Sequence, residues 1–243
     1  GASSSPIRES VLYGVPSEAD RTTAIWQPPR ESTASRTPPM RTRGHYRATL
    51  VDTGENRRKV VESTLEDGFL SILRAHPNVQ RVDEQLPPVT YVTDEGETAR
   101  HTFDFRALLT DGRRIAYAVK PSRKVQQRGL DRTIERIREQ VLPGFADLAM
   151  ICTEREITRR RVHNAEVLLH AQRMRNEADI AAAREAVADL RGWAYLDDLI
   201  DRTGRGPRGR VALIYLIGDG ELELEPNAYI TGAARVRPFR SNT

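Results

Sequence analysis

Two alternating apolar runs, HTFDFRALL and RRIAYAVKP, stand on either side of Thr110-Asp111-Gly112, and they restrict the fold more than any other feature of the chain. In a three-residue hairpin loop, two residues form a type I turn and the third takes the left-handed region, where glycine is favoured. That loop sets Leu109 against Arg113, then Ala107 against Ile115, Phe105 against Tyr117 and Phe103 against Val119, so one face is continuously apolar. The same register pairs Asp104 with Ala118 and puts Lys120 one diagonal step away on the opposite face. A two-residue Asp-Gly turn would spoil both patterns. The hairpin therefore predicts an aspartate and a lysine as neighbours on adjacent strands.

The flanking segments extend this into a domain. Leu65, Phe69, Ile72 and Leu73 recur at helical spacing, predicting a helix that starts near Val60 and stops before His76-Pro77-Asn78. VQRVDEQLPPVTYV is predicted to supply one strand ending around Tyr91. After Pro121, Leu130, Ile134, Ile137 and Val141 mark an amphipathic helix closed by Pro143-Gly144. ADLAMICTE then reads as a buried strand and RRVHNAEVLLHAQRM as a helix. This alternation predicts an α/β fold in which a mixed sheet is flanked by helices.

From about Asn176 the pattern changes to three helical segments, EADIAAAREAVADL, AYLDDLIDRTG and RGRVALIYLIG, followed by a short strand, ELELE. Three helices and a β-wing are the layout of a winged helix, with residues 203–207 as the turn before a recognition helix. Arg202, Arg205, Arg208 and Arg210 crowd that turn and are predicted to contact DNA. Residues 1–45, rich in Ser, Thr, Pro and Arg, are predicted to form an irregular arm. The expected division is thus 1–45, 46–175 and 176–243.

Composition excludes several functions. With 38% hydrophobic and 30% charged residues, and no apolar run long enough to span a bilayer, the chain is expected to be neither membrane-embedded nor wholly disordered. Cys152 is the single cysteine, which rules out an intramolecular disulfide and a multi-cysteine zinc site and points to a reducing, cytoplasmic setting. His163 and His170 lack a carboxylate pattern that would make them a zinc site. The net charge of +4, with arginine greatly outnumbering lysine, favours a polyanionic partner and a nucleoid-associated location.

An aspartate and a lysine on adjacent strands, joined by a glutamate from a preceding helix, suit metal-assisted phosphodiester hydrolysis. Carboxylates hold a hydrated cation on the scissile phosphate, and the lysine orients the attacking water or meets developing charge. Glu66 is the glutamate in the right place. Ser63-Thr64-Leu65-Glu66 matches a capping box that would turn Glu66 back onto its own helix, the reading favoured for Glu66 taken alone, and Asp104 with Lys120 alone equally matches a surface ion pair.

The series Glu62-Ser63-Thr64-Leu65-Glu66, Val79, Glu84-Gln85-Leu86-Pro87, Phe103-Asp104-Phe105 and Ala118-Val119-Lys120-Pro121 resembles the TnsA endonuclease family of the PD-(D/E)XK superfamily. So do Ile151 to Ile157 with the following Asn164. The resemblance spans about Val60 to the end. It implies a restriction-endonuclease-like core that cuts double-stranded DNA with Mg²⁺ or Mn²⁺, beside a transposase and an ATPase regulator. It assigns Asp104 as principal metal ligand, Glu66 as the helix carboxylate, Val119 as a backbone-carbonyl ligand and Lys120 as the motif lysine. A homo-oligomer is the remaining partner expectation. Phe103 departs from the motif's usual proline, and Ala118 replaces an expected Glu, Asp or Gln. The second departure leaves a pseudonuclease that binds or recruits DNA as the alternative, unless Gln126 or Gln127 fills the gap.

Overall fold

The computed structural model describes residues 53–239, so the arm expected over residues 1–45 lies outside the described residues. Helix α1 (Thr53–Ala75) buries Leu65, Phe69, Ile72 and Leu73, the stripe that the spacing predicts. It already includes Thr53, the first described residue, rather than starting near Val60, because the polar run TGENRRK has no apolar period to register in a sequence reading. Ser63 therefore sits inside the helix, where the neighbouring Thr64 hydroxyl donates to the Val60 carbonyl at 2.8 Å. The capping-box reading of Glu66 is overturned, since an N-cap must precede the first helical turn.

The segment expected to be one strand is two. β1 (Val79–Asp83) and β2 (Val89–Val92) are divided by Gln85, at φ 53°, and by Pro87-Pro88, which have no N–H to donate to a ladder. β2 pairs with β3 (Thr98–His101) in a separate two-stranded ribbon.

β4 (Phe105–Leu109) and β5 (Arg114–Val119) pair with Phe105 opposite Tyr117 and Ala107 opposite Ile115, the expected register. The turn closes with the Leu109 N–H donating to the Arg113 carbonyl at 2.8 Å, and Gly112 adopts φ 89°. Phe103 departs from the expected row. The chain bends at Asp104, ahead of β4, and Phe103 packs on the opposite face with Ala116 and Ala118 instead of facing Val119. There it stacks on Phe145 at 5.7 Å.

The main sheet has the order β1-β4-β5-β6. β6 (Leu148–Cys152) runs parallel to β5, and the other pairs are antiparallel. A parallel pair needs a crossover, supplied here by α2 (Ser122–Arg128) and α3 (Leu130–Gln140). Ile115, Tyr117 and Val119 of β5 face α1 and the start of α4 (Arg159–Arg173), whereas Ala116 and Ala118 face α2 and α3. The protein is therefore an α/β fold with a mixed sheet flanked by helices. α1 and α4 approach closely, since a Cβ at Gly68 would lie 2.8 Å from Val162.

A second core follows, built from α5 (Glu177–Val187), β7 (Ala194–Tyr195), α6 (Leu196–Thr203), α7 (Pro207–Asp219), β8 (Leu222–Leu224) and β9 (Arg235–Pro238). Its strands form an antiparallel sheet of order β7-β9-β8. α7 is apolar almost all round, with Leu213 and Leu216 fully buried. Ala171, from the end of α4, joins this core. Asn164 of α4 donates to the Ala228 carbonyl at 3.0 Å and accepts from the Ile230 N–H at 2.8 Å. No helix among the described residues is long and apolar enough to cross a membrane.

Candidate active site

Three elements deliver three charged side chains to one place. Asp104 sits at the bend before β4. Its N–H donates to the Tyr117 carbonyl at 2.9 Å, and its Oδ2 accepts from the Val119 N–H at 2.7 Å. The first bond fixes the Asp104 backbone to β5, and the second holds its carboxylate at the end of that strand. Lys120 follows β5 directly, and its N–H donates to the Cys152 carbonyl at 3.1 Å. Lys120 Nζ then lies 3.3 Å from Asp104 Oδ1 and 3.3 Å from Glu66 Oε1. Glu66 is adjacent to the buried Leu65 on α1, at the border of the core stripe.

The group carries one net negative charge when all three members are ionised, and it is only partly open to solvent. Burial, then the neighbouring Asp104 charge, raises the Glu66 pKa, with Lys120 opposing both. Burial alone would lower the Lys120 pKa, yet Asp104 and Glu66 together lift it above the ordinary lysine value. The lysine thus remains a cation between two carboxylates, one of which is held in place and the other under electrostatic pressure.

Several neighbours were not legible as site residues. Lys124 Nζ pairs with Glu62 Oε1 at 2.6 Å, one turn along α1 from the Glu66–Lys120 pair. The signal was available, because lysine occurs in the chain only at positions 59, 120 and 124. Glu154 fixes the start of α2, accepting from the Ser122 N–H at 2.9 Å and from the Ser122 hydroxyl. His101, at the end of β3, keeps its Nε2 buried without a hydrogen-bond partner among the described residues. Burial lowers its pKa, while the Asp104 charge acts in the opposite direction.

Val119 puts its side chain in the core facing α1, and its N–H is committed to Asp104. Ala118 is fully buried in the apolar cluster with Val125, Ile134 and Phe103. Gln126 and Gln127 are exposed on α2 and do not fill the gap beside Ala118. They belong to the helix surface, because Val125 is the residue that turns α2 towards the sheet.

The four arginines expected to meet DNA lie on the second core. Arg205 and Arg208 flank the buried Asp179, each at 3.6 Å, and Arg202 faces Asp189 at 3.7 Å. Arg210 is half-buried on α7. No protein-family model matches the chain, and no curated protein matches it.

Among the described residues, no group of three or more His, Cys, Asp or Glu side chains is disposed to hold a metal. Mg²⁺ asks for less than that. It is commonly held by one or two carboxylates, with waters and substrate phosphate completing its shell. Asp104 and Glu66, drawn together by one ammonium, fit that donor set.

Proposed function

We propose that this chain is a divalent-metal-dependent DNA endonuclease, TnsA-like, with a restriction-endonuclease-like core and a winged-helix C-terminal unit. The observation that carries this reading is Lys120 Nζ standing 3.3 Å from both Glu66 and Asp104. A helix, the bend ahead of β4 and the residue that follows β5 bring together two carboxylates and an ammonium, the groups that metal-assisted phosphodiester hydrolysis uses. Asp104 and Glu66, with the Val119 carbonyl, would hold Mg²⁺ or Mn²⁺. When bound, the cation would supply positive charge to a scissile phosphate and make its water more acidic.

The protein's own contribution is placement. The Val119 N–H fixes the Asp104 carboxylate before substrate arrives, so little reorganisation is needed during reaction. Lys120 donates hydrogen bonds to the attacking water or to a non-bridging phosphoryl oxygen, exchanging part of its present contact with the two carboxylates. Under this reading Arg202, Arg205, Arg208 and Arg210 contact the DNA backbone or groove, and a transposase and an ATPase regulator are the protein partners. The test is nicking of supercoiled plasmid in Mg²⁺ and in Mn²⁺. Asp104→Asn, Glu66→Gln and Lys120→Met are each expected to lower the nicking rate by about 10²-fold or more while leaving the protein folded.

One observation favours a second reading, a pseudonuclease that binds DNA without cutting it. Ala118 occupies the position of an expected ligand yet is wholly enclosed by apolar side chains. Wild-type protein that binds duplex DNA but never nicks it, in either metal, would support that reading over the first.

A further inference from the structure

The parallel pairing of β5 and β6 brings their C-terminal ends to the same edge of the sheet, where the Lys120 N–H meets the Cys152 carbonyl. The segments leaving those ends are tied together again by Ser122 and Glu154. One is residues 120–128, which contain Lys120, Arg123, Lys124 and Arg128 and no carboxylate. The other runs from Thr153 into α4 and carries Arg155 and Arg159.

Three acids on or facing these segments are already engaged. Glu62 holds Lys124, Glu154 holds Ser122, and Glu156 accepts from the Thr153 N–H and hydroxyl at 2.8 Å each. Arg123, Arg128, Arg155 and Arg159 are left exposed, with no ion-pair partner among the described residues. Elsewhere on the same domain Arg132 pairs with Asp94 at 2.6 Å and Arg136 with Glu139 at 2.8 Å. The first turn of α4 also contains no acid, although a helix start favours negative charge. The local electrostatics at this edge therefore call for an anion.

We propose that Arg123, Arg128, Arg155 and Arg159 form a rim that grips the phosphodiester backbone of duplex DNA beside the Glu66–Asp104–Lys120 site. The rim rests on the nuclease reading for its choice of polyanion. Guanidinium groups suit phosphate oxygens because they present paired donors in a plane. The two segments that carry these donors leave the same end of the parallel pair and are joined there by the Ser122 N–H to Glu154 bond.

The test is fluorescence anisotropy of the full chain on a labelled mixed-sequence duplex, titrated at several salt concentrations in EDTA. Replacing each rim arginine with alanine is expected to weaken binding and to reduce the steepness of the log affinity against log salt plot by about one. Arg132→Ala and Arg136→Ala, which remove paired surface arginines, are expected to leave the plot unchanged. Rim variants that keep the wild-type slope, or a wild-type chain with no affinity for duplex DNA, would overturn the proposal. Because the titration contains no metal, its result is separate from nicking: a rim-dependent slope without nicking sinks the nuclease reading and leaves the rim standing.

Discussion

The Glu66–Asp104–Lys120 group of the sheet domain and the ion pairs around the small sheet of the C-terminal core treat charge in opposite ways. In the first, Glu66, Asp104 and Lys120 arrive from positions up to 54 residues apart and are held together partly buried. In the second, Arg184 pairs with Glu221 at 2.7 Å, Arg235 with Glu225 at 2.8 Å and Arg237 with Glu223 at 2.8 Å, all across neighbouring surface elements. Such surface pairs contribute little to stability and are screened by salt. The contrast teaches where chemistry can reside. Half-desolvated charge that converges as a group of three is held in place at a cost, whereas a simple pair on the surface keeps much of its hydration.

The sharpest way to break the comparison is to remove one member of the convergent group. Asp104→Asn keeps the shape of the side chain and is expected to lower the nicking rate by about 10²-fold or more. Arg237→Ala on the other core should leave that rate within experimental error. Next in size is the packing that delivers Glu66. Phe69 is 1% exposed and meets Tyr117 edge to face at 4.9 Å, so Phe69→Ala is expected to cost about 3–5 kcal/mol in urea unfolding.

Ala118→Gln sharpens the comparison differently. The amide enters an apolar cluster, where overpacking alone costs about 1–3 kcal/mol. The variant should therefore melt below the wild type even if it improves metal binding. Gly112→Ala isolates backbone strain, because a Cβ there meets nothing within 4 Å while φ stays positive. Its cost in the same unfolding assay is expected to be about 1–2 kcal/mol.

The smallest effect concerns the pressure on Glu66. A carboxylate whose folded pKa is raised is more protonated in the native than in the unfolded state. Its contribution to stability is thus lost as pH rises from about the ordinary glutamate value through the folded one. Glu66→Gln should accordingly melt slightly higher than the wild type near neutrality, and the gap should close in acid. A variant that melts lower at neutral pH would show that the ion pair with Lys120 outweighs the desolvation and repulsion.

Much of this site was legible because the hairpin is regular. Thr110-Asp111-Gly112 sets the loop length, the loop sets the register, and the register brings Asp104, at the bend just before β4, to the end of β5 beside Lys120. What escaped was irregular or non-local. Phe103 switched faces because the backbone bends at the same aspartate that the site uses. α2 was missed because Val125 is its one buried residue, too little for a period to appear. β9 offers Val236 alone between two arginines, and its pairing with β7 and β8 is made across distant sequence. The arginine rim depends on parallel pairing between β5 and β6, which no local pattern announces.

The most direct measurement is metal-dependent nicking by the wild-type chain beside Asp104→Asn and Lys120→Met, with circular dichroism melts to show that all three are folded. The account predicts nicking in Mg²⁺ or Mn²⁺ by the wild type and its loss in both variants. Nicking at the wild-type rate in Asp104→Asn, or folded wild type that leaves bound plasmid intact in both metals, would contradict it.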